Sequence, residues 1–186
     1  MFSNRGYMLT NEGVTLRKAV DSDLKVLWEQ IYLDLEWKKF DGPYYDFKQQ
    51  TIEEFREGLF QRLKNGERAL VIELDGCVIG LVSYYWENEK TRWLEAGIVI
   101  YSSRKWGQGI GRKALVPWVT YLFDTLEIER VGMTTWSGNP RMIACGKAVG
   151  FQVEGWLRKV RYHNGEYFDS VKLGVLRSEW AEIRSK

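Results

Sequence analysis

The N-terminal third of the chain alternates between strand-like and helix-like spacing of its apolar residues. VTLRKAV (14–20) alternates apolar and polar positions, which predicts a short strand. The acidic and hydroxyl residues at 21–23 are typical N-cap residues, and they predict a helix that reaches about Tyr32. The stretch 34–50 is mixed and aromatic and contains a Gly-Pro breaker, so it predicts a loop or a broken helix.

Cap and turn residues divide the next segment. Thr51 is expected to begin a helix with its apolar residues on one face, and Gly66 lies just beyond the end of that helix. The Asp75-Gly76 dipeptide between two apolar runs is a strong β-hairpin signal. RWLEAGIVIY (92–101) predicts the strand that follows the hairpin.

The C-terminal half alternates helices and strands. Its predicted elements are a glycine loop after residue 101, a helix at 112–126 containing Pro117, a strand at 130–136, a helix from Asn139-Pro140 to Gly150, strands near 152–162 and 166–176 joined at 163–165, and a terminal helix. This order indicates a mixed α/β fold in a single domain, residues 1–186.

Composition narrows the class of protein. With 186 residues, 45% of them hydrophobic, the chain is long and apolar enough for one folded core. No apolar run approaches the roughly 18 residues of a membrane helix, and the N-terminus lacks the pattern of an export signal. Two cysteines and one histidine predict neither a disulfide framework nor an ordinary zinc site. We therefore expect a cytoplasmic protein with no metal and no membrane partner.

The formal net charge is +2, but its distribution is uneven. Acidic residues are concentrated in 21–60 and basic residues in 104–186. The two regions could meet different ligands, or both could be ordinary solvated faces. The basic residues of the C-terminal half are dispersed rather than arranged as a stripe with stacking aromatics, so we expect no nucleic-acid partner.

Three glycines at alternate positions separate a predicted strand from a predicted helix. Gly107, Gly109 and Gly111 are followed by Arg112-Lys113. A helix N-terminus in this arrangement presents backbone N–H groups and positive charge to an anion, and phosphate is the expected ligand. The alternative is that the glycines merely permit a tight connection. The spacing matches neither a P-loop nor a dinucleotide fingerprint.

Three motifs in order resemble GCN5-related N-acetyltransferases (GNAT). WGQGIG (106–111) is similar to the acyl-CoA loop of that family, with Trp106 where Gln or Arg is usual. LEAGIVI, which contains Glu95, and the segment from Asn139-Pro140 to Gly150-Phe151 are similar to the subgroup of ribosomal-protein N-terminal acetyltransferases. The order of elements agrees over residues 14–176.

The resemblance implies a GNAT-type fold, a central and largely antiparallel sheet with a splayed parallel strand pair flanked by helices. It also implies acetyl-CoA as co-substrate. The backbone of 98–100 would pair with pantetheine, the amides of 107–112 would hold the pyrophosphate, and Asn139 would bond the pantetheine arm or simply cap its helix. The implied cofactor-binding residues are Ile98, Val99, Ile100, Trp106, Gly107, Gln108, Gly109, Ile110, Gly111, Arg112 and Asn139.

Glu95 is the candidate catalytic base. An alkylamine is mostly protonated at neutral pH, so a group must accept a proton before the amine attacks a thioester. Alternation along the strand places Glu95 and Gly97 on one face, with the carboxylate half-buried. The alternative is a structural salt bridge to Arg92 or Arg104.

The sequence does not single out one group as the proton donor to the CoA sulfur. Gly146 stands where many family members have a tyrosine, and the adjacent Cys145 is expected to be core packing. Tyr101, Tyr162, Ser137 and water are the other donors considered, and His163 is expected to be a solvent-exposed turn residue.

Aromatic and acidic residues in 28–47 suit a cationic amine acceptor. The predicted substrate residues are Trp28, Tyr32, Trp37 and Tyr44. The same four residues could equally belong to the hydrophobic core. The predicted function is acetyl transfer to a primary amine of a peptide, polyamine, aminoglycoside or other small molecule, by direct attack in a ternary complex. The alternative is an acyl-CoA-binding module that has lost its catalytic activity and has a sensing or regulatory role. A monomer and a homodimer are both compatible with the sequence.

Overall fold

The computed structural model describes residues 8–185, which contain eight strands and six α-helices. The strands are β1 (Met8–Asn11), β2 (Val14–Arg17), β3 (Ala69–Leu74), β4 (Cys77–Asn88), β5 (Trp93–Ile100), β6 (Arg130–Trp136), β7 (Gln152–His163) and β8 (Glu166–Leu176). The helices are α1 (Asp23–Tyr32), α2 (Ile52–Phe55), α3 (Gln61–Asn65), α4 (Ile110–Thr125), α5 (Pro140–Val149) and α6 (Arg177–Arg184). No helix within this part of the chain is both long and apolar enough to cross a membrane.

The strands follow the order β1-β2-β3-β4-β5-β6-β8-β7 in a mixed sheet. β5 and β6 are parallel and pair only at Leu94–Val131 and Glu95–Gly132. The neighbouring pairs on both sides, including β2–β3, β3–β4, β6–β8 and β7–β8, are antiparallel. The predicted mixed α/β fold with one parallel pair is confirmed.

Local chemistry explains the elements that were predicted well. The Thr51 side chain accepts a hydrogen bond from the Glu54 amide, and the Glu54 carboxylate accepts one from the Thr51 amide, which forms a capping box at α2. Asp75 and Gly76 both have positive φ, 52° and 75°, as the two-residue turn between β3 and β4 requires. Gly150 ends α5 with φ 115°.

Two features were not predicted. β1 pairs with β2, although its four residues are too few to show a periodic pattern. The helix expected from Thr51 to Gly66 is interrupted by a π-helical segment, Arg56–Phe60, between α2 and α3. Gly58 lies in that segment with ψ −105°, which is outside the helical range and which its lack of a side chain tolerates.

The chain divides into two compact units. Unit 1 comprises residues 8–37, 47–83 and 98–118 of the described chain. Its buried cluster consists of Ala19, Leu27, Ile31, Tyr32, Trp37, Phe55, Phe60, Leu63, Ala69, Val71, Val78, Leu81 and Tyr101. Aromatic rings supply much of this apolar volume, which is the main source of its stability.

Unit 2 comprises residues 38–46, 84–97 and 119–185 of the described chain. β6 and β8 supply four of its fully buried residues, Val131, Val171, Leu173 and Val175. The register Val131–Val175 and Met133–Leu173 gives these two strands a continuous apolar face. A charged group on such strands must therefore find its partners within the sheet.

Candidate active site

The glycine loop of unit 1 forms the turn between β5 and α4. Gly107 and Gly109 have φ of 73° and 74°, which side chains with a Cβ rarely adopt. Gly111 lies inside α4. The first backbone hydrogen bond of α4 runs from the Lys113 amide to the Gly109 carbonyl, so the amides of 110–112 precede the helical ladder. The geometry is that of an anion-binding helix N-terminus.

Trp106 anchors the loop to the end of β5. Its indole Nε1 donates a 2.7 Å hydrogen bond to the Ile100 carbonyl, and its ring packs against the buried cluster of unit 1. Gln108 folds back within the loop, and its Nε2 donates to the Arg104 carbonyl at 2.7 Å. Both side chains therefore order the loop, while the backbone amides are the groups suited to an anion.

The end of β5 is packed tightly in unit 1. Ile98, Val99 and Ile100 are half-buried. A Cβ added to Gly80 of β4 would lie 2.1 Å from the Val99 carbonyl oxygen, so only glycine permits this approach. The Tyr101 amide donates to the Ile79 carbonyl at 2.9 Å.

Three of the predicted substrate residues pack inside unit 1. Tyr32 and Trp37 belong to its buried cluster, and Trp28 packs against it. Their polar atoms have partners within the protein, because Tyr32 Oη donates to Gln50 Oε1 at 2.7 Å and Trp37 Nε1 to the Ile31 carbonyl at 3.1 Å. These contacts leave Tyr32 and Trp37 little surface for a substrate, and their assignment to the acceptor stays a prediction.

Glu95 lies on β5 in unit 2 and is fully buried, with 0% of its surface exposed, rather than half-buried as expected. Its Oε1 accepts hydrogen bonds from Trp93 Nε1 at 3.1 Å and Arg130 Nη1 at 3.3 Å. Its Oε2 accepts one from Thr134 Oγ1 at 2.8 Å. A buried carboxylate requires such donors.

The ion-pair partner of Glu95 is Arg130, not Arg92 or Arg104 as the sequence suggested. Arg130 also binds Glu154, with Nη2 to Oε2 at 2.5 Å. Burial opposes the charge of Arg130, but hydrogen bonds and charge from Glu154 and Glu95 outweigh it and raise its pKa. The sequence could not identify this pair, because strand register alone brings residues 95 and 130 together.

Two glycines make room for these charged groups. A Cβ on Gly132 would lie 2.3 Å from both Arg130 Nη1 and Glu95 Oε1, and a Cβ on Gly174 would lie 2.2 Å from Glu154 Oε1. The Glu95–Arg130–Glu154 triad therefore occupies a slot that only glycine at 132 and 174 leaves open.

Arg130→Met is expected to lower the free energy of unfolding by about 3–5 kcal/mol, because it leaves the buried Glu95 carboxylate without its cation. Urea denaturation measures the loss. Arg92→Met is the matched control, since Arg92 pairs with Glu127 at an exposed position where an ion pair contributes at most about 1 kcal/mol. Equal losses in the two variants would show that the Arg130–Glu95 pair is not a significant stabilising contact.

Tyr85 on β4 was missed by the sequence analysis. Burial, with the negative charges of Glu95 and Glu87, raises the pKa of Tyr85 to about 12. Its phenol therefore stays protonated near neutral pH and can donate but not accept a proton. Its place in an alternating strand was visible in the sequence, but its proximity to Glu95 was not.

Asn139 caps α5 in unit 2. Its Oδ1 accepts from the Met142 amide at 3.1 Å, and its Nδ2 donates to the Phe40 carbonyl at 3.2 Å. Trp136 Nε1 donates to the same carbonyl at 2.8 Å. Asn139 therefore has the capping role considered from sequence, and its contact with pantetheine stays a prediction.

Tyr44 belongs to an aromatic cluster of unit 2. Its ring meets Trp136 edge to face at 5.7 Å, and Trp136 contacts Phe168 in the same way at 4.8 Å. His163 was expected in the turn but ends β7 and is half-buried, with its ring 6.2 Å from Trp136. The two-residue turn is Asn164-Gly165, which the hairpin register leaves unpaired.

The position of the usual tyrosine is tightly packed. Gly146 is buried, and even a Cβ there would lie 3.1 Å from Leu173 Cδ2. Burial raises the pKa of the adjacent Cys145 to about 11, so its thiol stays protonated at neutral pH. Ser137 Oγ accepts a hydrogen bond from the Asp169 amide, Tyr162 is exposed, and Tyr101 is buried in unit 1.

Residues 8–185 contain no cluster of three or more metal-ligating side chains.

Comparison with known proteins adds a family relationship. The family model described as "Acetyltransferase (GNAT) domain" matches residues 14–152. The chain is 33% identical over 177 residues to the "Putative ribosomal N-acetyltransferase YdaF" of Bacillus subtilis (strain 168), covering 91% of this chain and 94% of that protein.

Solved structures share the fold. A crystal structure described as a probable acetyltransferase has a TM-score of 0.77 at 26% identity, covering 94% of this chain and 99% of the other. A spermidine N-acetyltransferase from Vibrio cholerae, solved in complex with CoA and spermine, has a TM-score of 0.73 at 23% identity, covering 92% and 99%. The second likeness concerns the fold alone.

Proposed function

Since the chain belongs to the GNAT acetyltransferase family and is an N-acetyltransferase, we propose that it moves the acetyl group of acetyl-CoA directly to a primary amine in a ternary complex. We propose further that residues 1–186 act as one N-acetyltransferase domain in the cytoplasm. The observation that carries the proposal is the buried carboxylate of Glu95, on the strand that leads into the glycine loop.

The glycine loop is proposed to bind the pyrophosphate of acetyl-CoA. Its support is the pair of positive-φ glycines, the amides of 110–112 at the start of α4, and the nearby charges of Lys105 and Arg112. The half-buried backbone of 98–100 is proposed to pair with pantetheine. CoA in the Vibrio cholerae relative is consistent with this choice of co-substrate.

Glu95 is proposed to accept the acceptor's proton through Thr134. The carboxylate has no exposed surface, but Thr134 is half-buried and its hydroxyl donates to Oε2. In the proposed step, Thr134 Oγ1 takes a proton from the ammonium group and passes its own hydrogen to Glu95. The neutral amine then attacks the thioester carbon, the C–S bond breaks, and the thiolate takes up the proton that the amide nitrogen loses.

The acceptor is proposed to bind in unit 2. Tyr44, Tyr45 and Tyr85 are aromatic, and Glu87 and Glu95 are acidic, which suits a cationic amine. The names of relatives include a ribosomal N-acetyltransferase and a spermidine N-acetyltransferase. Peptide N-termini and polyamines are therefore the first acceptor classes to compare.

Release of free CoA thiol tests the proposal. The protein and acetyl-CoA are mixed with one amine at a time: a peptide with a free N-terminus, spermidine, an aminoglycoside or lysine. We expect at least one amine to accelerate thiol release well above hydrolysis and to appear as its acetyl amide by mass spectrometry. Thiol release that no amine accelerates would contradict the proposed function.

A further inference from the structure

Arg161 of β7 is a cation without an anionic partner among the described residues. Its Nε is buried and has no hydrogen-bond partner within residues 8–185. Its Nη2 lies 3.5 Å from Ser170 Oγ, at the limit of a hydrogen bond. Guanidinium groups are strong donors whose best partners are carboxylates and phosphates, so this one has unused binding capacity.

Two tyrosine rings frame the Arg161 guanidinium. Its Cζ lies 5.0 Å from the centre of the Tyr44 ring and 5.8 Å from that of Tyr45. Such contacts attract a cation but leave its charge in place. Tyr44 also shares a hydrogen bond with Arg161. Burial raises the pKa of Tyr44 despite that bond and the positive charge of Arg161, so the Tyr44 hydroxyl stays neutral and does not balance that charge.

Other arginines of unit 2 differ from Arg161. Arg130 binds Glu154 and Glu95, Arg177 lies near Glu129, and Arg184 binds Asp124. Arg158, on the same strand as Arg161, is exposed and its charge can be solvated by water. Arg161 combines a partly buried charge with no carboxylate partner among residues 8–185.

Arg161 lies in the same region of unit 2 as Glu95. Tyr45, whose ring faces the Arg161 guanidinium, interacts electrostatically with Tyr85. Tyr85 in turn interacts with the carboxylate of Glu95. A small acceptor could therefore meet the arginine with one end while its amine lies near Thr134, the proposed relay to Glu95.

We propose that Arg161 binds a carboxylate of the acceptor, so that the preferred substrate is an amino acid or a short peptide with a free carboxyl group. This inference rests on the proposed transfer to an amine. The guanidinium would donate paired hydrogen bonds to the carboxylate, and the tyrosine rings would flank it. A polyamine has no group for this site and is repelled by the uncompensated charge.

Matched pairs of amines test the carboxylate site. The probes are lysine with cadaverine, and alanylalanine with its C-terminal amide, so that each pair differs chiefly in the carboxylate. Each is assayed for thiol release and, in the presence of CoA, for binding by calorimetry. The proteins are the wild type, Arg161→Gln, Arg161→Lys and the matched control Arg158→Gln, with thermal melts to verify that each variant folds.

We expect the wild type to favour the acid of at least one pair by about 10- to 100-fold in kcat/KM and affinity, the range of a charge-assisted hydrogen bond. Arg161→Gln should remove that preference by raising KM for the acids, without weakening the use of the amide or of cadaverine. Arg161→Lys should restore part of the preference for the acid, and Arg158→Gln should retain the whole preference.

Several results would overturn the inference while leaving acetyl transfer intact. These are equal use of acids and amides by the wild type, equal losses for both members of a pair in Arg161→Gln, and faster turnover of spermidine than of any acid. Failure of every probe to bind in calorimetry would also overturn it. Binding of the acids without amine-dependent thiol release would instead support the carboxylate site and contradict the proposed function.

Discussion

Glu95→Gln is expected to lower kcat near neutral pH by about 10²- to 10⁴-fold, the contribution of a well-placed general base. The amide fills the same volume and can still accept from Trp93, so the fold should survive. Arg130 keeps its ion pair with Glu154 and is not left as an isolated charge. The loss therefore measures the proton acceptor rather than the packing.

The pH dependence separates a base from a structural anchor. An alkylammonium group has a pKa of about 10 and a peptide N-terminus one of about 8, so the acceptor deprotonates itself as the pH approaches its own pKa. The deficit of Glu95→Gln should then shrink toward pH 9–10 if Glu95 is the base. A deficit that is the same at every pH would show that the carboxylate acts only through structure.

Two further variants define the route of the proton. Thr134→Val removes the hydroxyl that donates to Glu95 Oε2 and should reproduce much of the Glu95→Gln deficit, whereas Thr134→Ser should restore activity. Glu127→Gln is the matched control, because Glu127 is an exposed carboxylate paired with Arg92. Full activity in Thr134→Val would contradict the proposed relay.

Gly107→Ala with Gly109→Ala is expected to raise KM for acetyl-CoA by about 10- to 100-fold. Each residue has positive φ, and a Cβ makes that conformation cost about 1–2 kcal/mol. No atom lies within 4 Å of either added Cβ, so the effect arises from the backbone and not from a clash. Relaxation of the loop would turn its amides away from the pyrophosphate.

Gly76→Ala is the matched control for the loop variant. Gly76 lies in the β3–β4 turn of unit 1 with φ 75°, and an added Cβ there also has open space. Gly76→Ala should lower the stability about as much as one of the two loop substitutions does. It should leave KM for acetyl-CoA unchanged. Equal KM values for the loop variant and the wild type in steady-state assays would show that the loop does not bind the co-substrate.

Element order and the glycine loop followed from local sequence. Thr51, Asp75-Gly76 and Gly150 act through their own backbone neighbourhood, so their effects are visible without tertiary contacts. The same holds for the alternation that placed Glu95 on a strand. The π-helical segment at Gly58 and the short strand β1 depend on packing and pairing, and local patterns did not indicate them.

The partners of the charged groups were decided by the tertiary structure. The sequence by itself determined the class of fold, the position of the glycine loop between a strand and a helix, and the identity of the carboxylate on β5. Only the register of β5, β6 and β8 brought Arg130, Thr134 and Glu154 to Glu95, and only the last hairpin placed Arg161 beside Tyr44. The physical reason is that caps and turns are short-range interactions, whereas an ion pair joins residues that the chain separates widely and that strand pairing alone brings together.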